Sequence, residues 1–446
     1  MSENFKILES FKIARREWDF FDFRLNIPPL SFGSDASNPH TQYSNAVASC
    51  TSSNNHAIGA CFTLGEGNQF ICAAADYLIT ELDGLRLKDI LESQIGLAEV
   101  LGNPRQLRWI SPNSGISQMA AGLVINTIID FASKQANLPA WKFMASLEVD
   151  EFLKLISLRH LKGSAILQRQ FKMNMPDRGK LNARMEELEE CGIPTYFTTW
   201  IGSSAVSLSN QIHSIVTEKG ITKFKIKIGS DIDKEKEKIE ELLTLMPSNV
   251  KLAADANQSL TYIESIEWMS FLSTKGFLWL EEPFAPDNVL QFRELVSRKV
   301  QENWDCEIAT GENCPNLHVA QALLEAGVDR FQADPCRMQG FSEAVFSGFL
   351  AKQYGAEFTP HAGGSGLDEM SPHMQFFFLA SIDYDKSLED SLTENIGFCS
   401  KFYLSPTEVK NGRIQSPRTP GFLVGVAPEV SQKLVPYQDG ISWLEL

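Results

Sequence analysis

Paired cysteines are missing from this 446-residue chain: its eight cysteines are scattered, with no CxxC among them. In a long chain without a signal peptide, that usage reads as reduced, mostly buried thiols and a reducing compartment. Basic charge is also short. Forty Lys and Arg against 56 Asp and Glu leave a net charge of -16, which argues against nucleic acid or an anionic membrane surface as partner. Long apolar runs are absent too, because stretches such as QFFFLASI at 375–382 fall far short of a bilayer span. The first twenty residues carry acids throughout and match neither a secretory signal nor a transit peptide. A soluble, cytoplasmic protein is therefore expected. No GxGxxG or GxxxxGK[ST] occurs, so a Rossmann or P-loop nucleotide site is not expected.

What is present is an ordinary globular balance, 43% hydrophobic and 22% charged. The first part is mixed. Apolar stretches at 44–50 and 57–64 read as strands joined by TSSNNH, and 117–146 reads as a helix broken by NLP. From residue 192 the texture becomes rhythmic. Strand candidates PTYFTTW, KFKIKI, VKLAAD, FLWLEE, EIATGE, RFQAD, AEFTPH and DKSLEDSLTEN alternate with helical patterns. About eight such units over about 210 residues fit a TIM-type α/β barrel better than a doubly wound sheet.

Barrels of this kind build their sites at the C-terminal ends of their strands. Those ends carry, in order, Lys227, Asp255, Glu281, Glu312, Asp334, His361 and Glu394, with Glu389 as a second candidate for the last. A single strand-end acid is ordinarily the partner of a surface lysine. Three on consecutive strands, Asp255, Glu281 and Glu312, would repel one another unless a cation lay among them. An all-oxygen set suits Mg²⁺. Lys225 and Lys227 share one strand face beside this trio, and a second ammonium plus a metal would favour loss of a proton. Bringing a lysine from about 10.4 towards 7 to 8 costs about 4 kcal/mol. Lys223 is assigned instead to the solvated face. Asp334 and His361 fall on adjacent units, where the carboxylate would fix the imidazole tautomer. The glycines of PHAGGSG would let backbone approach a ligand.

The series KIK, DAN, EEP, GEN, a strand-end Asp and PHAGG resembles the enolase superfamily, specifically its mandelate-racemase-like acid-sugar dehydratases. Within that group GSDASNP, QLRW, VINTIIDFASK, PAWK, SLED and TPGF are similar to the L-fuconate dehydratases and their eukaryotic relatives. The resemblance implies a (β/α)7β modified TIM barrel at 186–400. An α+β capping domain would be formed by 1–185 and completed by the tail at 401–446. It also implies Mg²⁺ held by Asp255, Glu281 and Glu312, with Lys227 as the α-proton base and Lys225 on the substrate carboxylate. His361, paired with Asp334, would be the acid for loss of the 3-hydroxyl, and protonated Glu394 would hydrogen-bond the enediolate. Gly33, Ser34, Asp35, Tyr43 and Asn257 would line the substrate pocket, together with Lys225, Glu312, His361 and Glu394.

The expected reaction is dehydration of a small sugar acid, L-fuconate before other aldonates or aldarates, in a homo-oligomer. A racemase or epimerase would use the same lysine and histidine, and a non-catalytic barrel is the third reading. Ser365–Asp368 stands where valine and cysteine are more usual in that family, and residues after Glu312 also differ. Such differences bear on which sugar fits.

Overall fold

Two sheets organise the chain, and the second carries a row of charges along one end. The computed structural model describes residues 2–26, 43–52, 55–93, 96–102, 107–199, 204–229, 231–397, 402–403, 406–422 and 426–445. The positions Gly33, Ser34 and Asp35 lie outside the described residues.

The first sheet contains β1 (Trp18–Asn26), β2 (Tyr43–Ser52) and β3 (Asn55–Thr63). β2 and β3 form the expected antiparallel hairpin, with Ser44 opposite Thr63. One face of this sheet packs on the helix Ile116–Gln135. Among the described residues that helix is the one long and apolar enough to cross a membrane, yet 89% of its apolar window is buried inside the protein. Its length therefore reflects core packing.

The second sheet begins with β4 (Ile193–Thr198), β5 (Lys223–Lys227), β6 (Lys251–Asp255) and β7 (Trp279–Glu281). It continues through β8 (Glu307–Thr310), β9 (Arg330–Phe331), β10 (Glu357–Phe358) and β11 (Thr393–Asn395). Neighbours from β4 to β10 pair in parallel, and β11 pairs in parallel with β4. Helices fill the connections, as the alternating pattern implies. Several carry sequence-encoded caps. Thr261 and Glu264 form a capping box, and Asn316 accepts from Val319 N.

The eight-strand expectation differs from the structure at one seam. Among the described residues no ladder joins β10 to β11, so a continuously hydrogen-bonded barrel is not formed there. A short hairpin, β12 (Val409–Lys410) and β13 (Arg413–Ile414), adds to the start of β4. The chain then returns to the first sheet, where β14 (Ser442–Glu445) pairs in parallel with β1.

Inward residues of the second sheet form a buried apolar cluster of Tyr196, Ala253, Trp279, Ala309 and Leu392. Tyr196 and Trp279 meet edge to face at 5.1 Å between centroids. Two residues further along the strands the same face turns polar, at Thr198, Asp255 and Glu281. The apolar layer is the floor of the site.

Candidate active site

Parallel register aligns the charged row. Lys227 lies beside Asp255, and Asp255 beside Glu281. Phe224 and Ile226 point the other way, and both faces of β5 are buried, as expected when helices cover a parallel sheet. Lys223 departs from the solvated face assigned to it. It is half-buried at the far end of the strand, where burial lowers its pKa.

Ligand atoms of Asp255, Glu281 and Glu312 all lie within 4.8 Å of one another. Lys225 Nζ bonds Glu281 and sits 3.3 Å from Asp255 Oδ2 and 3.0 Å from Glu394 Oε1. Lys227 Nζ reaches Asp255 Oδ2 at 2.6 Å. Glu281 is held from behind by Trp279 Nε1 at 2.9 Å and Gln332 Nε2 at 2.7 Å. Glu312 Oε2 is buried and accepts no hydrogen bond, although His361 Nε2 is 3.3 Å away. Three converging carboxylates, one with an uncommitted oxygen, fit a hard divalent cation.

The dyad forms as expected, with His361 Nδ1 2.9 Å from Asp334 Oδ2, while Cys336 N donates to Asp334 Oδ1 at 2.6 Å. Glu394 accepts from Thr198 Oγ1 and from Ala362 N, the latter at 2.8 Å. Its rival Glu389 is exposed and pairs with Arg413 at 2.6 Å. The strand-end acid inside the site is therefore Glu394.

With no cation among them, these side chains set one another's charge. Burial works against charge on Lys227, but Asp255 more than compensates and its pKa is raised, not lowered. Lys225 is likewise raised, with Glu281, Glu394 and Asp255 outweighing burial. Burial would push Glu394 up, but Lys225 and His361 bring it down to about 2. The reason is common to all three. Ammonium and carboxylate groups neutralise each other in the absence of other charge. Burial and the neighbouring carboxylates push Glu281 up to about 7 despite Lys225. For His361 burial disfavours the imidazolium, yet Glu312 and the Asp334 bond raise it to about 9.

Lys225, Lys227, Glu312, His361 and Glu394 line a cavity of about 420 Å³ whose walls include Tyr43 and Phe62 from the first sheet, Leu64 just after β3 and Asn257 just after β6. Sequence reasoning missed four neighbours. Thr198 ends β4, and Phe62 comes from β3. Buried Glu282 follows Glu281 at φ 41°, and Arg337 donates to Phe62 O at 2.7 Å. The doubled acid of EEP and the arginine just past the strand-end Asp were their visible signals. Asn257 and Gln258 also have φ of 42° and 63°, so backbone strain gathers at the strand ends around the site.

Residues 207–430 match the family described as Enolase C-terminal domain-like. An L-galactonate dehydratase from Hypocrea jecorina is 30% identical over 421 residues, 92% of each chain. The mitochondrial enolase superfamily member 1 of Homo sapiens is 29% identical over 422 residues, covering 93% of this chain and 94% of that one. The solved structure of the human protein superposes with a TM-score of 0.86 at 27% identity, over 97% of this chain and 98% of that one. An L-talarate/galactarate dehydratase from Salmonella typhimurium LT2, solved with Mg and L-lyxarohydroxamate, superposes at TM-score 0.69. That match covers 94% and 92% of the two chains at 18% identity and speaks for the fold alone.

Proposed function

This chain belongs to the enolase superfamily, and we propose that it is a Mg²⁺-dependent dehydratase of a small sugar acid. The observation that carries the reading is one cavity lined by Lys227, Glu312 and His361, with Lys227 bonded to Asp255 at one end of the carboxylate trio and His361, backed by Asp334, beside Glu312 at the other. The enzyme class is that of its relatives, hydro-lyase. In this reading β4 to β11 act as a (β/α)7β barrel despite the open seam, since the apolar cluster fills the interior as in a closed barrel. Residues 1–185 with 401–446 form the cap, which supplies Tyr43, Phe62 and the expected Gly33, Ser34 and Asp35.

Asp255, Glu281 and Glu312 would hold Mg²⁺, which would supply a Lewis acid to the substrate carboxylate. Lys227 takes the α-proton. Lys225 lies beside the same carboxyl group, where negative charge develops as the proton leaves. Protonated His361, held in orientation by Asp334, donates to the departing 3-hydroxyl. Loss of water leaves an enol that ketonises to a 2-keto-3-deoxy acid. Glu394 is buried on Thr198 and Ala362 N. In its protonated form it would hydrogen-bond the enediolate.

L-fuconate is the proposed substrate. L-galactonate has the same configuration and one more hydroxyl, so the Hypocrea relative's named substrate agrees with this choice of sugar series. A homo-oligomer is part of the proposal. The test is a panel of aldonates and aldarates with Mg²⁺, detecting 2-keto acid by semicarbazide, with Lys227→Ala alongside. Keto acid from another sugar moves the specificity. Exchange of the α-proton with solvent deuterium and no keto acid moves the reading to racemase or epimerase. Neither product nor exchange leaves a non-catalytic barrel.

A further inference from the structure

Among the described residues β11 has a ladder with β4 alone, and one side chain holds the residues just past its end. Asp368 is buried at the start of the helix Leu367–Phe377. Its Oδ1 accepts from Ile396 N at 3.1 Å and from Asn395 Nδ2 at 2.9 Å. Its Oδ2 accepts from Gly397 N at 2.8 Å and again from Asn395 Nδ2 at 3.1 Å.

We propose that Asp368 is a positioning residue for Glu394, its carboxylate tethering the Asn395 side chain and the two backbone N–H groups just beyond β11. The same connection supplies Ala362 N to the Glu394 carboxylate at 2.8 Å. One loop therefore grips the strand end from two directions: Asp368 holds residues 395–397, and Ala362 holds the side chain one residue before them. Four hydrogen bonds converge on a single carboxylate, and a charged acceptor makes each stronger than a neutral one would. Placement matters because Ile396 also lines the cavity. A shift of the strand end would move a wall and an acid together.

The inference rests on Glu394 as the enediolate partner, and its test separates the two. The Asp368→Asn variant keeps the size but turns an amide donor towards three donors. A crystal structure of this variant with Mg²⁺ should show Glu394 displaced from Thr198 and Ala362; an unmoved Glu394 overturns the inference whatever the activity. On the substrate that wild type turns over, kcat should fall about 10- to 100-fold with little change in KM. Asp368→Asn added to Glu394→Gln should cost nothing further, because both act through one group. An additive loss would mean a merely structural role and would also overturn it. Asn395→Ala, which removes one donor, should give the same pattern at smaller size and serves if the first variant does not fold. Wild type without turnover on any sugar acid sinks the proposed function, while the crystallographic result still decides the tether.

Discussion

Asp334 Oδ2 and His361 Nδ1 meet at 2.9 Å, bridging the ends of the sixth and seventh parallel strands. Glu312, from the fifth, approaches the other imidazole nitrogen at 3.3 Å. The ring is thus held between two carboxylates, one of them a proposed metal ligand, and its charge state depends on both.

The dyad should be visible in pH profiles. Burial alone would lower the His361 pKa, but Glu312 and Asp334 raise it to about 9. A general acid must be protonated, so kcat/KM should hold below that value and fall as pH rises through it. Asp334→Asn removes a stabilising charge, so the falling limb should move to lower pH, with kcat down about 100-fold. A limb that stays in place would separate Asp334 from this titration.

Lys227→Ala should lose keto-acid formation by about 10²- to 10⁴-fold, the usual worth of a positioned base. Its folding should survive, because the alanine lies on a strand whose register is set by its neighbours. Solvent deuterium exchange at the α-carbon should disappear in parallel. Exchange that persists would point to another base.

Magnesium should stabilise the fold. Carboxylates whose ligand atoms lie within 4.8 Å repel until a cation joins them. At a hundredfold excess over Kd the gain is about 2.7 kcal/mol. Thermal unfolding with Mg²⁺ and with EDTA reads it directly. Asp255→Asn should reduce the difference between the two curves, and an undiminished difference would place the cation elsewhere.

A buried acid outside the site offers a control on stability. Burial pushes Glu343 up to about 7 from an ordinary 4.5, although Gln339 N and Leu317 N bind it. Its pKa is raised in the folded state, so the unfolded chain gives up this proton first as pH increases. Stability is therefore lost between about pH 4.5 and pH 7 and stays low above. Glu343→Gln should raise Tm by a few degrees at pH 8 and scarcely at pH 5. Equal shifts at both values would contradict the burial argument.

Much of this was legible in the sequence because it was local. KFKIKI, LEEP and TPHAGG each end an apolar stretch with an ionisable group, and parallel register does the rest. The β2–β3 hairpin and the helix at 116–135 followed from alternation and helical spacing. β1 was not legible: Asp19, Asp22 and Arg24 interrupt its pattern, and its neighbour β14 is hundreds of residues away. The pKa directions of Lys227 and Glu394 in this cluster were not legible for a related reason. They depend on which charges end up within 3 to 4 Å, as with Lys225 at 3.0 Å from Glu394, and spacing along the chain does not reveal such distances. The seam at β11 was hidden too, since Asp368 is one acid among 56.

The pairing of β14 with β1 sets Ser442 beside Phe23. During synthesis every strand of the second sheet leaves the ribosome before this partner does. The wall that carries Tyr43 and Phe62 into the cavity must wait with β1 as an open edge while the catalytic floor is already able to form. Such late, distant contacts are costly in loop entropy and slow to close. Ribosome-bound nascent chains should therefore acquire the cation-binding row first and the finished roof last.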